Sequence, residues 1–335
     1  MRGIVRTGPG DPADVLTFSD RLTPPRPGPG QVAVSMCATA IHAGDLLGVR
    51  EGWAAPDPAR PAGVGSAGSG TVQSVGQGVT GVAPGDRVAF FGAAGAWQEV
   101  VLAPAAHVHR VPDALPDDVA ALALVNPLTM RMLMRAVDHH GGGAAGADGP
   151  ILHAAAGSAV GTLVSAAADR HDLSLIALVR SADTAARHRA RWPKVPVITT
   201  SADGWEKRLD EAIGGRPVRV ALDPVGGPVS RAMLDRLGEG GTLLSYGRLD
   251  SRPSGFEPFD LVRRQRAAVG VSIEQWAGLD DATRADDVAF ALDLVAARPD
   301  LAEIAGHYDL AEHAVAVAHA RRPDRTGTVL LTRRP

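Results

Sequence analysis

A turn of small residues between a predicted strand and a predicted helix is the first feature that can do chemistry. In the dinucleotide fingerprint G-x-G-x-x-G, glycines let the backbone approach a pyrophosphate and let the helix pack on the strand. The three positions here hold Ala156, Ser158 and Gly161, so only the glycine of the packing position is present. Small side chains still allow close approach, and a helix N-terminus adds N–H donors and a positive dipole end. The turn, which includes Ala159 and Val160, predicts a dinucleotide site, with a purely structural turn as the alternative.

One arginine indicates which dinucleotide this would be. Arg180 directly follows the next predicted strand, about 20 residues beyond the turn, where a dinucleotide fold contacts the adenosine ribose. An NAD site usually has Asp or Glu there to bind the 2′-hydroxyl, whereas an arginine accommodates a 2′-phosphate. The nearest carboxylate, Asp183, comes after the strand end. The sequence therefore favours NADP(H), and the alternative is a solvated surface arginine.

Composition excludes several other kinds of partner. The 335 residues include 34 Lys and Arg against 37 Asp and Glu, so the formal net charge of −3 gives no electrostatic footprint for nucleic acid or an anionic membrane. A single cysteine, Cys37, excludes a disulfide framework, and its place in a predicted strand favours a buried, inert thiol. The chain shows neither the apolar core of a signal peptide nor the roughly 18 uninterrupted apolar residues of a membrane span. We therefore expect a cytoplasmic protein.

Two kinds of sequence pattern predict the elements that position these residues. The N-terminal third has short β-like runs cut by Gly and Pro turns, which predicts an antiparallel, barrel-like domain. Beyond Pro150, apolar strands alternate with helices, which predicts a parallel, doubly wound sheet. The predicted strands are Gln31–Met36, Gly70–Val75, Asp86–Phe91, Ile151–Ala155, Leu173–Val179, Val195–Ile198, Val218–Leu222, Thr242–Ser245, Ala267–Ile273 and Thr328–Thr332. The predicted helices are Thr184–Arg191, Trp205–Ile213, Val229–Leu237 and Asp286–Arg298.

A helix start lies between these two regions. Asn126 precedes Pro127 and a helical pattern that runs from Leu128 to Asp138. Asparagine is a favoured N-cap, and proline is favoured at the first helical position. The sequence therefore predicts a helix that Asn126 caps.

Several segments in the same order resemble the zinc-free medium-chain dehydrogenase/reductases, in particular mitochondrial-type 2-enoyl thioester reductases and quinone oxidoreductases. The resemblance covers nearly the whole chain, and a set of ordered segments is far more specific than one motif. VNPLTMRML at Val125–Leu133 is similar to N-P-x-T-x-x-R-M-L of the enoyl reductases, and AAAGSAVG at the turn is similar to their A-A-N-S-A-V-G. The other segments are IHAGDLLGVREGW (Ile41–Trp53), PAGVGSAGSGTV (Pro61–Val72), LVRSAD, ALDPVGG, LLSYGRL and GVSIEQW (Gly270–Trp276).

The resemblance implies an α/β fold in which a Rossmann doubly wound parallel sheet accompanies a GroES-like β-barrel catalytic domain. The catalytic domain would span residues 1–122, the cofactor-binding domain 123–274, and residues 275–335 would return to the catalytic domain. The implied function is NADPH-dependent reduction of an activated C=C bond in a small molecule, an enoyl thioester or an enone. A quinone reductase and a cofactor-binding protein with lost or altered catalysis are the alternatives. A homodimer is also implied, through the edge strand near Ala267–Ile273, which is apolar and last in the sheet.

The resemblance implies roles for residues outside the turn as well. Asn126 matches a residue near the nicotinamide ribose, and Tyr246 with Gly247 matches the turn that lines the nicotinamide, although packing alone would also explain a tyrosine there. His42 and Trp53 fall in the implied substrate pocket. Trp53 takes the place of the tyrosine whose hydroxyl assists catalysis in the enoyl reductases. An indole N–H donates a hydrogen bond but is no useful proton source, so Trp53 is not expected to act as a general acid.

Two further departures from the family pattern concern metal binding. The zinc-dependent branch needs Cys and His ligands, but His42 stands at the position of its first catalytic ligand. Ala67 replaces the glutamate of the glycine-rich segment, and His42 has too few candidate ligands near it in sequence to make a zinc site. We therefore expect no metal.

Overall fold

The structure is a computed structural model that describes residues 1–53, 62–141 and 149–333. It divides into two compact units: Met1–Pro127 together with Asp280–Pro335, and Leu128–Leu279. The domain limits expected from the sequence lie a few residues earlier at both points. Pro61, the first residue of the glycine-rich segment, lies outside the described residues.

The elements are numbered in chain order. The strands are β1 (Gly3–Arg6), β2 (Leu16–Ser19), β3 (Gln31–Ala40), β4 (Ala62–Gly63), β5 (Gly68–Val75), β6 (Arg87–Phe90), β7 (Val100–Pro104), β8 (Val108–Arg110), β9 (Ile151–Ala154), β10 (Leu175–Val179), β11 (Val197–Thr199), β12 (Val218–Asp223), β13 (Leu237–Ser245), β14 (Ala267–Gly270), β15 (Ile304–Asp309) and β16 (Thr328–Thr332). The helices are α1 (Pro12–Val15), α2 (Ala43–Glu51), α3 (Asp117–Ala120), α4 (Val125–His140), α5 (Ala159–Arg170), α6 (Ala182–Arg191), α7 (Trp205–Ile213), α8 (Gly227–Arg236), α9 (Pro258–Val262), α10 (Asp281–Ala297) and α11 (His313–Ala320). Short 3₁₀ helices span Ala105–His107, Ile273–Gly278, Pro299–Leu301 and Leu310–Glu312.

The long strand β3 is the centre of the first unit. It pairs antiparallel with β5, β7 and β16, in a sheet of order β15-β16-β3-β5-β6-β8, and a smaller antiparallel sheet has the order β2-β1-β4. The β15–β16 pair is parallel. Met36, Phe90 and Trp97 are fully buried in the core, and Trp97 Nε1 donates to the Ala40 carbonyl at 3.1 Å. The antiparallel domain predicted from the short β-like runs between Gly and Pro turns is thus confirmed.

The second unit is built on a six-stranded parallel sheet of order β11-β10-β9-β12-β13-β14. Every residue of its inner strands β9 and β10 is buried, and all of them except His153 are apolar, as in strands whose two faces are both covered. From β9 the chain adds β10 and β11 on one side of the sheet, and it then adds β12, β13 and β14 on the other side. Ligands of such sheets bind at this switch point between β9 and β12, outside the carboxyl ends of the strands. The predicted doubly wound sheet is confirmed.

Helix α4 corrects the prediction for Asn126. The helix begins at Val125, so Asn126 lies inside its first turn, 9% exposed, and is not the N-cap. The prediction was wrong because Pro127 is tolerated as the third helical residue as well as the first: N–H groups of the first turn have no intrahelical partner to lose. The helical stretch Asp117–His140 is long and apolar enough to cross a membrane by length and composition, but 61% of that window is buried, as in the core helices of soluble proteins.

The edge strand of the parallel sheet is shorter than predicted. β14 ends at Gly270, and a 3₁₀ helix, Ile273–Gly278, occupies the end of the predicted segment. Ser272 starts this helix, because its Oγ accepts a hydrogen bond from the Glu274 N–H at 3.2 Å. The sequence pattern missed the change because serine followed by Ile and Glu satisfies a strand as well as a cap.

Candidate functional site

The turn after β9 places a helix N-terminus at the carboxyl edge of the parallel sheet. Ala155 adopts a φ of +50°, in the left-handed region that non-glycine residues rarely enter, and α5 begins four residues later at Ala159. Ser158 is the N-cap of α5, and its Oγ accepts a hydrogen bond from the Gly161 N–H at 3.1 Å. The Ser158 hydroxyl hydrogen is therefore available to a ligand, together with N–H groups of the first turn that no helix pairs internally.

Gly161 lies where α5 touches the turn that it follows. A Cβ on Gly161 would stand 2.5 Å from the Ala155 oxygen and 2.6 Å from the carbonyl carbon and oxygen of Ala156. Real Cβ atoms do not approach backbone so closely, so only glycine fits this contact. The contact holds the N-terminus of α5 against the end of β9, which is the packing role expected for the third fingerprint glycine.

The turn is partly exposed and carries small side chains. Gly157 is exposed at its tip, and any side chain there would overlap Thr184 Cγ2 of α6. Ala159 and Val160 begin α5 and are only partly buried, so the first helical turn is accessible. Small side chains, one free hydroxyl and exposed helix N–H groups fit a pyrophosphate of a dinucleotide.

Arg180 stands at the carboxyl end of β10, next to the loop that follows β11. Its side chain is exposed. The loop after β11 passes next to it, since the Thr200 N–H donates to the Val179 carbonyl at 2.8 Å and the Ser201 N–H to the Arg180 carbonyl at 3.3 Å. A surface groove is lined by residues 200–206, which are the end of that loop and the first two residues of α7. An exposed guanidinium at this edge is suited to an anionic group such as a phosphate.

The loops after β12 and β13 are tied to each other. Asp223 ends β12 and is 1% exposed, and its Oδ1 accepts two backbone N–H groups of the following turn, at 2.8 and 3.1 Å. Its carbonyl accepts the N–H of Tyr246, the first residue after β13, at 3.0 Å. Gly247 then passes so close that a Cβ on it would stand 3.0 Å from the Pro224 oxygen. Tyr246 and Gly247 are therefore held at the carboxyl edge by backbone contacts.

A buried histidine, which the sequence analysis missed, holds the Tyr246 hydroxyl. His153 lies within β9, is 0% exposed, and its Nε2 stands 2.8 Å from the Tyr246 hydroxyl. Burial lowers the pKa of His153 to about 3, so the ring is neutral. Burial, followed by the nearby Asp223 carboxylate, raises the pKa of Tyr246, so the phenol stays protonated. A single polar residue in an otherwise apolar strand is the signal that could have found His153.

In the first unit, His42 belongs to a polar cluster at the start of α2. Its backbone N–H donates to Asp45 Oδ2 at 2.9 Å, and the Ser66 hydroxyl donates to Asp45 Oδ1 at 2.7 Å. The Nε2 atom of His42 is buried and has no hydrogen-bond partner among residues 1–53, 62–141 and 149–333. Burial lowers the pKa of His42; Asp45 opposes this effect, and the Arg325 guanidinium adds to it. Burial raises the pKa of Asp45 against the opposing effects of His42 and Ser66.

Trp53 follows the other end of α2. Gly52 ends the helix with a φ of 75°, and the Trp53 N–H donates to the Gly48 carbonyl at 2.9 Å. The Trp53 carbonyl accepts a hydrogen bond from the Arg6 guanidinium, while its indole, packed over Gly48, is 55% exposed. An exposed indole face can stack on a flat molecule, and its N–H can donate one hydrogen bond.

The structure brings together some of the residues expected at a site and separates others. Those at the carboxyl edge of the parallel sheet are Ser158, Ala159, Val160, Gly161, Arg180, Tyr246 and Gly247. His42 and Trp53, by contrast, stand at opposite ends of the nine-residue helix α2, which is about 13 Å long at 1.5 Å per residue. Asn126 lies in α4, two residues before the second unit begins at Leu128.

Cysteine and the other metal-ligating residue types are dispersed. In the part of the chain that the structure describes, no three His, Cys, Asp or Glu side chains are grouped so that they could hold a metal ion. Ala67 is 1% exposed in the core. Cys37 lies in β3 as predicted but is half-buried rather than buried, and burial is the main cause that raises the pKa of its thiol.

Comparison with known proteins identifies the family. Residues 28–113 match the family model of the alcohol dehydrogenase GroES-like domain. The quinone oxidoreductase of Pseudomonas aeruginosa is 33% identical over 246 residues, which cover 72% of this chain and 72% of that protein. The chain belongs to the medium-chain dehydrogenase/reductase family. The resemblance seen in the sequence is thus confirmed.

Other members of the medium-chain family are similar over most of the chain. The mitochondrial enoyl-[acyl-carrier-protein] reductase of Arabidopsis thaliana is 28% identical over 280 residues, 82% of this chain and 72% of that protein. The solved structure of Escherichia coli quinone oxidoreductase complexed with NADPH has a TM-score of 0.85 at 25% identity, over 99% of this chain and 100% of that chain. Some curated relatives are matched over only 33% of their own length. The GroES-like plus Rossmann fold expected from the sequence is confirmed.

Replacement of Gly161 by alanine tests the packing of the turn. The added Cβ would meet the backbone of Ala155 and Ala156, so we expect the second unit to lose about 1–3 kcal/mol of stability, the usual cost of overpacking. Urea unfolding followed by tryptophan fluorescence measures the loss. Gly278→Ala is the matched control, because a Cβ there meets nothing within 4 Å. Equal stability of the two variants would contradict the packing role.

Metal analysis tests the expectation that the protein carries no zinc. The purified protein should contain far less than one zinc per chain by inductively coupled plasma mass spectrometry, because a structural or catalytic zinc needs three or four side-chain ligands. Treatment with EDTA should leave the thermal unfolding temperature unchanged. Stoichiometric zinc, or a lower unfolding temperature after chelation, would overturn the expectation.

Proposed function

We propose that the protein is an NADPH-dependent reductase of an activated carbon–carbon double bond in a small molecule, such as an enone or an enoyl thioester. The observation that carries the choice of cofactor is the exposed Arg180 side chain directly after β10, at a position where an NAD site usually has a carboxylate. Its solved relative from Escherichia coli is complexed with NADPH. The reaction class rests on relatives named quinone oxidoreductase and enoyl reductase.

Each residue of the parallel-sheet edge has a proposed part in binding. The Ser158 hydroxyl and the N–H groups of Ala159 and Val160 would bind the pyrophosphate, and Arg180 the 2′-phosphate. Tyr246 and Gly247 would line the nicotinamide, and Asn126 its ribose. When bound, NADPH supplies the hydride for the β-carbon of the substrate. The residues bind and orient; they form no covalent bond.

The substrate oxygen takes up negative charge when the double bond is reduced, and His42 and Trp53 can each offer it a neutral donor. His42 is neutral at pH 7 because its pKa is lowered from an ordinary value near 6.5, and a neutral imidazole N–H can polarise an oxygen without releasing its proton. The Trp53 indole N–H can likewise donate without acting as an acid. We therefore propose that His42 and Trp53 line the substrate pocket and that the proton comes from water.

Two other functions are supported by particular observations. The 33% identity to the Pseudomonas aeruginosa quinone oxidoreductase favours a quinone as the substrate, and the exposed Trp53 indole suits such a flat ring. The loss of the family tyrosine at Trp53 favours a cofactor-binding protein without turnover. Rapid NADPH oxidation with simple quinones and none with thioesters supports the quinone reductase. Tight NADPH binding without turnover of any enone, enal or thioester supports the cofactor-binding protein.

A cytoplasmic homodimer remains part of the proposal. β14 is the edge strand of the parallel sheet, and its residues alternate between half-buried and exposed, so its free backbone groups can pair with a second copy. The near-neutral charge of −3 supports neither a nucleic acid nor a membrane partner. Sedimentation velocity of the full chain tests the dimer.

Arg180→Ala tests the cofactor assignment. Removal of the guanidinium should weaken NADPH binding about 10- to 100-fold, the effect of a lost charge-assisted hydrogen bond of about 1.5–3 kcal/mol, and leave NADH within about twofold. Titration calorimetry measures both constants. Arg219→Ala is the matched control, because Arg219 is an exposed arginine at the amino end of β12. Equal losses for NADPH and NADH would contradict the assignment.

Trp53→Tyr tests which substrate the pocket takes. A phenol in place of the indole restores a group that can release a proton, so turnover of an enoyl thioester should rise by about 100-fold, the lower end of what general acid catalysis contributes. Trp53→Phe keeps an aromatic ring without the hydroxyl and should show no such rise. Steady-state rates with an enone, a quinone and a thioester supply the comparison. A thioester rate that is already high in the native protein would contradict the assignment of Trp53.

A further inference from the structure

The pairing of His153 with Tyr246 spans three strands of the parallel sheet. β9, β12 and β13 are neighbours in that order, so with strands about 4.8 Å apart β9 and β13 are about 10 Å apart. His153 is level with Leu222 of β12, and Leu222 is level with Leu244 of β13. Tyr246 stands two residues beyond Leu244, outside the strand. Its side chain must therefore reach back and across the end of β12 to meet His153 at 2.8 Å.

This route brings the phenol ring next to the switch point of the sheet. The carboxyl ends of β9 and β12 flank the crevice in which ligands of doubly wound sheets bind. The Tyr246 ring extends from β13 towards β9, next to that crevice, because its backbone is fixed at one side by the hydrogen bond to the Asp223 carbonyl and its hydroxyl at the other by His153. Two attachments leave the ring little freedom to move.

Neither partner of the hydrogen bond changes its protonation state near neutral pH. His153 is neutral above a pKa of about 3, and the Tyr246 phenol is protonated because burial raises its pKa. The Nδ1 atom of His153 is buried and has no hydrogen-bond partner among the described residues. Nε2 is thus the one ring atom of His153 that makes a hydrogen bond there. A buried polar group of this kind costs stability unless something else is gained by it.

We propose that His153 is a positioning residue that fixes the Tyr246 ring as a wall for the nicotinamide half of the cofactor. This inference rests on the proposed NADPH site. A ring that is already ordered lets the nicotinamide bind without a further loss of side-chain entropy. Loss of the His153–Tyr246 bond should therefore weaken contacts of the nicotinamide half and leave those of the adenosine half unchanged.

Three variants separate positioning from simple stability. His153→Leu removes the hydrogen bond at similar volume, Tyr246→Phe removes it from the other side, and His153→Gln places an amide nitrogen as many bonds from Cβ as Nε2. His188 is the matched control: it is buried in α6, its Nε2 stands 3.1 Å from the Ser165 hydroxyl, and burial lowers its pKa to about 4. His188→Leu removes an equivalent buried hydrogen bond from the same unit.

The readout is the ratio of two dissociation constants, for NADPH and for adenosine 2′,5′-bisphosphate, measured by calorimetry. His153→Leu and Tyr246→Phe should weaken NADPH about 5- to 10-fold, the range that one hydrogen bond contributes, and leave the bisphosphate within about twofold. His153→Gln should restore most of the NADPH affinity. His188→Leu should lower the stability to urea without changing the ratio.

Other outcomes overturn the inference in distinguishable ways. If His153→Leu weakens both ligands equally, or if His188→Leu changes the ratio as much, His153 is only a structural residue. If the native protein binds NADPH and the ratio is unchanged in both His153→Leu and Tyr246→Phe, the inference fails while the NADPH site stands. If the native protein binds neither ligand, the proposed function fails and the inference fails with it.

Discussion

The contact between Gly161 and the turn after β9 is the constraint on which the edge of the parallel sheet depends. A Cβ at this position would stand 2.5 Å from the Ala155 oxygen, so helix and turn approach as closely as backbones can. This approach sets where α5 begins, and so where Ser158 and the unpaired N–H groups of the first turn stand. Ala155 accepts a left-handed φ of +50° as part of the same geometry. The packing of α5 on the turn therefore fixes the positions of the groups that would bind a ligand.

Hydrogen bonds, rather than close packing alone, order the other half of the edge. The Asp223 carboxylate and carbonyl hold the loops after β12 and β13, and His153 holds the Tyr246 hydroxyl. These groups are buried, where the low local dielectric strengthens a satisfied bond. The Arg180 side chain at the end of β10 is exposed instead. The edge is therefore held by buried hydrogen bonds around Tyr246, whereas the Arg180 side chain at its other end faces solvent.

Local rules predicted those features of the fold whose causes are local. Apolar runs predicted the strands of the parallel sheet because such strands are buried on both faces, and Arg180 was found because it directly follows one of them. Asn126 was misjudged because a proline fits anywhere in a first helical turn, so the residue before it need not be the cap. His153 was missed because its partner is 93 residues away, and no local pattern records a pairing across three strands. The separation of His42 from Trp53 likewise depends on α2 as a whole.

The proposed chemistry of the first unit follows from that separation. His42 precedes a helix about 13 Å long and Trp53 follows it, although the Trp53 indole packs back over Gly48. The His42 Nε2 is buried, and a donor in a low-dielectric site stabilises a developing oxyanion more than one in water does. The Trp53 indole is largely exposed and is better suited to stack on a substrate ring. In the proposed division of roles, His42 would polarise the substrate and Trp53 would orient it, and neither would supply a proton.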